Sequence, residues 1–159
     1  MAITVRRVEA DDLDQLRLHQ SRPELGLVDK HFAAMSEGRL IFAVALDGAT
    51  ALGTALLDFE SGDLAPELRN MYVYPSARRM GAGRALSSFL EGTAREAGYS
   101  AVYLAVDPMN EKAVPLYVSL EYHPTGEHLF VEDPEVEQVD DGVEASKHYA
   151  VYKKSLTVR

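Results

Sequence analysis

Apolar and polar residues alternate from the start of the chain. Ile3-Thr4-Val5-Arg6-Arg7-Val8 has the period of two of a half-buried strand. Asp11 then offers an N-cap for a short helix through Leu13, Leu16 and Leu18. Val28, Phe32 and Met35 recur at helical spacing, which predicts a second helix over Leu27 to Ser36, with Gly38 as its stop. The period then changes. Leu40 to Leu46 is almost continuously apolar, Asp47-Gly48 is a hairpin signal, and Ala51 to Phe59 is a second apolar run, so two antiparallel strands are expected. A third strand, Glu67 to Tyr74, follows a polar turn containing Gly62, Asp63 and Pro66.

After Pro75 comes a Gly-rich loop. Leu86, Phe89, Leu90, Ala94 and Ala97 then share one face of a helix over Arg84 to Ala97, ended by Gly98. Ala101 to Val106 follows as a short buried strand, giving a strand-helix-strand unit that should be parallel and right-handed. Asn110 offers a cap for a last helix in which Ala113, Leu116, Tyr117 and Leu120 share a face, and Pro115 should bend or shorten it. A short strand near Tyr122 to Val131, an acidic loop and a closing strand over His148 to Leu156 complete the chain. No repeat or linker divides it, so residues 1–159 are expected to form a single domain of mixed α/β class.

Composition narrows the function. The 159 residues are 47% hydrophobic with no Cys, so a core can form and neither disulfides nor Cys-ligated zinc are available. No apolar run approaches the roughly 20 residues of a membrane span, and the N-terminus builds no signal-peptide core, so a cytoplasmic protein with no membrane partner is expected. The net charge of -9 is local: nine acids and no Lys or Arg lie between Glu121 and Ser146, while the remaining 16 acids are matched by 16 Lys and Arg. No basic face for a phosphate backbone is evident, so nucleic acid is not an expected partner. His19, His31, His123, His128 and His148 lack metal-helix spacing and the acidic segment lacks a calcium-loop pattern, so no metal is expected.

The stretch Tyr72 to Arg84 carries candidate chemistry. It places Arg78, Arg79, Met80, Gly81, Ala82, Gly83 and Arg84 between a strand and a helix N-terminus, where main-chain N–H groups lack intrahelical partners and attract anions. Glycines at 81 and 83 would let a phosphate approach the backbone. A dinucleotide fingerprint needs a third Gly where Leu86 stands, and a nucleotide triphosphate loop needs Gly-Lys-Ser/Thr, so both fail. Either the loop binds another anion or the glycines only form a tight turn; local physics leaves both open.

Arg78-x-x-Gly81-x-Gly83, after the strand Leu68 to Pro75, resembles the acetyl-CoA signature of the GNAT family of N-acetyltransferases. Asn110-x-x-Ala113-x-x-Leu116-Tyr117-x-x-x-x-Tyr122 resembles that family's second motif, at the expected distance. The resemblance implies the GNAT fold, a central, mostly antiparallel twisted sheet with one parallel strand-helix-strand unit and about four flanking helices. It also implies acetyl-CoA as cosubstrate and a primary amine as acceptor. Main-chain groups of Met71, Tyr72 and Val73 would bond the pantetheine arm, and the N–H groups of Arg79 to Arg84 would hold the pyrophosphate. Asn110 would touch the pantetheine or hold splayed strands.

The same resemblance makes Tyr117 the acid for the departing thiolate, although spacing alone puts it on the helix's apolar face beside Leu116 and Leu120. It makes Glu67 the base, which would need burial or a water chain because a free carboxylate is a poor match to an ammonium; a strand-end surface carboxylate is the alternative. A backbone N–H near Met71 or Val73 would meet the oxyanion. With no Gly-x-Ser-x-Gly elbow and no Cys, direct attack is the simpler mechanism. One departure stands out: Glu121-Tyr122 replaces the family's usual Gly-Phe, so Glu121 must either adopt a left-handed conformation or end the helix differently. The acidic segment would draw a cationic acceptor, such as a polyamine, an aminoglycoside or a lysine side chain, or else be a solvated loop. A homodimer is common in the family. The competing readings are a catalytically weak CoA-binding regulatory module and a purely structural interaction domain.

Overall fold

A computed structural model describes residues 2–110, 113–131 and 147–156. The strands are β1 (Ile3–Arg7), β2 (Leu40–Asp47), β3 (Thr50–Asp58), β4 (Glu67–Val73), β5 (Ala101–Val106), β6 (His123–Phe130) and β7 (His148–Ser155). The α-helices are α1 (Leu13–Leu18), α2 (Leu27–Ser36), α3 (Ala82–Glu96) and α4 (Ala113–Ser119). One seven-stranded sheet runs in the order β1-β2-β3-β4-β5-β7-β6, antiparallel throughout except for the parallel pair β4–β5. This is the mixed α/β architecture the sequence pattern and the GNAT resemblance imply.

The continuous apolar runs of β2 and β3 have a simple cause. Both faces of the sheet centre are covered, so both sets of alternating side chains must be apolar. Ile41, Ala43 and Ala45 face the cluster formed with Leu86, Leu90 and Ala94 of α3, whereas Phe42, Val44 and Leu46 face the cluster of Leu16 and Val28 from α1 and α2. Leu86, Leu90 and Ala94 are 0% exposed, and each leucine contributes about 1.5–3 kcal/mol by leaving water.

Local chemistry moves several element ends. The first helix begins at Leu13 after a 3-10 turn over Ala10–Asp12, so Asp11 is not its cap. Asp12 does the local work instead, accepting the Glu9 N–H at 2.7 Å and two bonds from Arg6 at 2.7 and 2.8 Å. Helix α3 starts at Ala82, two residues before the pattern places it. Pro115 is the third residue of α4, within the first turn where its missing N–H is tolerated, and the helix is short. No helix among the described residues is long and apolar enough to cross a membrane.

Two irregularities of β4 shape the sheet. Leu56 pairs with Arg69 and Thr54 with Tyr72, so Asn70 and Met71 together stand opposite Ala55 as a β-bulge. Asn70 takes φ 50, a left-handed value that Asn tolerates better than most residues. On its other side β4 meets β5 in register only at Glu67↔Tyr103, so the two strands part from there onward. Gly53 lets β3 approach closely at this point, since a Cβ there would stand 2.6 Å from the Tyr72 carbonyl oxygen.

Candidate active site

The parting of β4 and β5 opens a slot through the sheet, and the bulge lies on its edge. Consecutive bulge residues point to opposite faces: Met71 faces α3 and α4, while Asn70 faces α2.

On the first face, the Tyr117 hydroxyl lies 3.8 Å from Met71 Sδ. Burial pushes this phenol up to about 12, so it stays protonated at neutral pH. Gly83 serves this packing. A Cβ there would meet Met71 Sδ at 3.3 Å and Leu116 Cδ2 at 3.4 Å, so its missing side chain admits β4 and α4 against α3. Gly83 is buried in the first turn of α3, with its Cα side turned to the protein interior.

Gly81 lies just before the first residue of α3. It has φ 92, and a Cβ would find open space, so the residue is needed for its left-handed backbone and leaves the loop accessible. Arg79 is also left-handed at φ 67. Ala82 is buried beneath the helix start, whereas Arg78, Arg79, Met80 and Arg84 are exposed around it. Arg78 Nε donates to the Val73 carbonyl at 3.2 Å, and Arg84 Nη2 donates to Ser119 Oγ at 3.2 Å, tying α3 to α4. Tyr72 is buried, edge-on to Tyr74, so only its main chain is offered to the slot.

At the far end of the slot, Asn110 Oδ1 accepts the Ala113 N–H at 2.9 Å and fixes the start of the α4 region. Glu121 adopts φ 72, the left-handed conformation expected of a glycine there, and so ends α4 without displacing Tyr117. Tyr122 is fully buried with its ring 6.0 Å from that of Tyr117. Its hydroxyl donates to Glu91 Oε2 at 2.8 Å, and Lys154 Nζ donates to Glu91 Oε1 at 2.9 Å. Sequence patterning assigns Glu91 to no site; only its place one turn beyond Ser87 on the buried face of α3 signals an interior carboxylate.

On the second face, Glu67 lies at the joined end of the slot. Burial, the largest influence, raises its carboxyl above the ordinary range; Asp58 adds to this, while a Ser61 hydrogen bond and Arg69 oppose it. Further along, an open cleft of about 510 Å³ lies between α2 and the sheet, bordered by Lys30, Arg39, Asp58, Glu60 and Arg69. Arg69 is ion-paired to Asp58 across β4 and β3. His31 of α2 also lines the cleft, with Nε2 3.2 Å from Asn70 Nδ2 and its ring edge-on to Phe42.

Most of the acidic segment, residues 132–146, lies outside the described residues. Among the described residues no group of three or more His, Asp or Glu side chains is placed to hold a metal.

The family model described as the acetyltransferase (GNAT) family matches residues 6–122. No curated protein matches the chain. Among solved structures, an N-acetyltransferase from Staphylococcus aureus superposes with a TM-score of 0.75 at 17% identity, over 99% of this chain and 100% of that one. A GNAT superfamily phosphinothricin acetyltransferase from Sinorhizobium meliloti, in complex with AcCoA, gives 0.73 at 19% identity, over 98% of this chain and 89% of that one. The PaiA N-acetyltransferase from Thermoplasma acidophilum, in complex with coenzyme A, gives 0.69 at 17% identity, over 98% and 99%. At these identities the likeness is one of fold.

Proposed function

The chain belongs to the acetyltransferase (GNAT) family, and from that premise we propose that it transfers the acetyl group of acetyl-CoA to the primary amine of a small molecule or peptide by direct attack. The observation that carries this reading is the bulge at the parted β4–β5 edge, with Met71 against the Tyr117 hydroxyl on one face and Asn70 toward α2 on the other. Acetyl-CoA, when bound, supplies an acetyl thioester. Its fit is supported by the open edge of β4, where main-chain groups of Met71 to Val73 bond the pantetheine arm as an added strand does. It is supported too by the accessible loop at the start of α3, where N–H groups from Arg79 to Arg84 hold the pyrophosphate and Arg78, Arg79 and Arg84 add positive charge.

The amine nitrogen attacks the thioester carbonyl, and a main-chain N–H near Met71 or Val73 stabilises the oxyanion. Tyr117 protonates the leaving thiolate. A phenol near 12 is a weaker acid than a thiol near 8.5, so the proton moves as the C–S bond breaks and not after it. Glu67, its carboxyl raised by burial, takes the amine's proton through water. The excess acids between Glu121 and Ser146 favour a cationic acceptor by long-range attraction.

Acetyl-CoA should raise the melting temperature, and mass detection should find an acetylated product among spermidine, kanamycin and a lysine-containing peptide. Absence of both effects overturns the proposal. A thermal shift with no product from any amine favours the coenzyme-binding module instead.

A further inference from the structure

The contact between the Tyr117 hydroxyl and Met71 is a weak one, because a thioether sulfur at 3.8 Å is a poor acceptor. The aim of that hydroxyl must therefore come from the ring and the main chain, and both lead to Tyr122. The Tyr122 N–H donates to the Tyr117 carbonyl at 3.0 Å, and the Glu121 N–H donates to the Val118 carbonyl at 3.0 Å. These are the paired bonds of a Schellman turn, with Glu121 as its left-handed residue. An apolar contact between the first and last residues accompanies such turns. Here it is the edge-to-face pair of the Tyr117 and Tyr122 rings, at 6.0 Å and 74°.

Tyr122 is in turn fixed by groups outside the turn. It is 0% exposed, and its hydroxyl donates to Glu91 Oε2 on α3 while Lys154 of β7 donates to Oε1. Lys154 Nζ also stands 5.8 Å from the centre of the same ring. Burial, and after it the Glu91 carboxylate, raises this phenol above its ordinary value, so it stays protonated and remains a donor. The buried carboxylate thus has a partner on each oxygen, and α3, β7 and the end of α4 meet there. Two residues of the turn then oppose each other. Glu121 bears a left-handed cost that Gly would not, and Tyr122 carries a hydroxyl, lacking in Phe, that ties the strained turn down.

We infer that Tyr122, anchored through its hydroxyl to the Glu91–Lys154 pair, is a positioning residue of the acetyl transfer. It offsets the strain at Glu121 and holds the Tyr117 ring with its hydroxyl turned to Met71, the place of the proposed proton donation. The inference rests on the acetyl-transfer reading above. Fully buried, Tyr122 acts through the Tyr117 ring alone and exchanges no proton with the reactants.

The test uses the full chain with spermidine as acceptor. Tyr122→Phe keeps the ring contact and removes the anchor, so kcat should fall about tenfold or more, with the KM for spermidine and the acetyl-CoA thermal shift near wild type. A merely weakened fold would lower the rate whatever stands at position 117. The same substitution is therefore made in Tyr117→Phe, where it should change kcat by no more than about twofold. Glu121→Gly combined with Tyr122→Phe removes the strain along with the anchor and should recover most of the lost rate. Should Tyr122→Phe melt below the assay temperature, Glu91→Gln weakens the same bond by removing its charge, and its smaller fall in kcat should depend on the Tyr117 hydroxyl in the same way. Wild-type kcat in Tyr122→Phe overturns the inference, as does a fall of equal size with and without the Tyr117 hydroxyl, or a double variant no faster than Tyr122→Phe. Loss of the acetyl-CoA shift in the wild-type chain, with no acetylated product, would instead sink the acetyl-transfer reading as a whole.

Discussion

The two mouths of the slot are built on opposite principles. Toward α3 and α4 the lining is small and apolar: Gly83 admits Met71 and Leu116, and the Tyr117 hydroxyl meets a thioether. Toward α2 the surface is polar and open, with His31 and the Arg69–Asp58 pair lining a cleft of about 510 Å³. A fixed cosubstrate suits the first, because a dry, close-packed wall holds one geometry. A variable acceptor with a proton to lose suits the second. On the proposed reading, leaving-group chemistry belongs to one face and amine chemistry to the other, and variants on each side should separate the two.

The largest separation should come from Tyr117→Phe. It removes only the hydroxyl, so packing against Met71 and Tyr122 is kept. Steady-state kinetics should show kcat reduced about 100-fold or more, with the acetyl-CoA thermal shift preserved. An unchanged kcat would remove the acid role and blur the contrast between the faces.

Gly81→Val should act next in size and on binding alone. A β-branched residue at φ 92 is strained whatever the space, so the loop must rearrange. Losing one N–H bond to a charged pyrophosphate is worth about 1.5–3 kcal/mol, so titration should show acetyl-CoA affinity falling about tenfold or more. Wild-type affinity in this variant would mean that the start of α3 is a turn and nothing else.

How far each mouth was legible in the sequence follows from how it is assembled. The face proposed for the coenzyme draws on one contiguous run from Met71 to Arg84 and a second from Asn110 to Tyr122, so two short motifs, read through the family resemblance, name its residues. Helix and strand periods likewise located every α-helix and strand to within a few residues, because each buries a regular stripe. The cleft on the α2 side combines His31 with Arg39, Asp58 and Arg69, from separate segments that only the folded sheet joins. Its one local signal was a polar Arg69-Asn70 pair inside a strand, which marks the bulge but names no partner. The packing role of Gly83 was hidden for the converse reason: a motif glycine looks the same in sequence whether or not a strand and a helix close in on its Cα.

A smaller effect should follow from Arg39→Gln on the rim of the cleft. Its pairing with Glu37 is exposed on both sides, so stability should change by less than about 1 kcal/mol. The KM for a cationic acceptor should fall by a few-fold as one repelling charge leaves, while the acetyl-CoA shift stays as in the wild type. A change in coenzyme affinity of equal size would show that the two mouths are not independent.

The smallest expected effect is in stability, and it concerns Glu67 at the point where both mouths meet. Burial raises its carboxyl above the unfolded value, so the folded chain binds the proton more tightly than the unfolded chain does. The associated stability is fully present below the unfolded value, about 4.3, and is lost as pH rises through the higher folded value. At pH 7 the buried carboxylate is therefore a burden that Glu67→Gln relieves. Calorimetry should find the variant more stable than wild type at pH 7 and the advantage gone near pH 4. A residue kept for packing has no reason to carry that burden, whereas a proton acceptor must be ionised to work. Equal stability at both pH values would return Glu67 to an ordinary strand-end carboxylate.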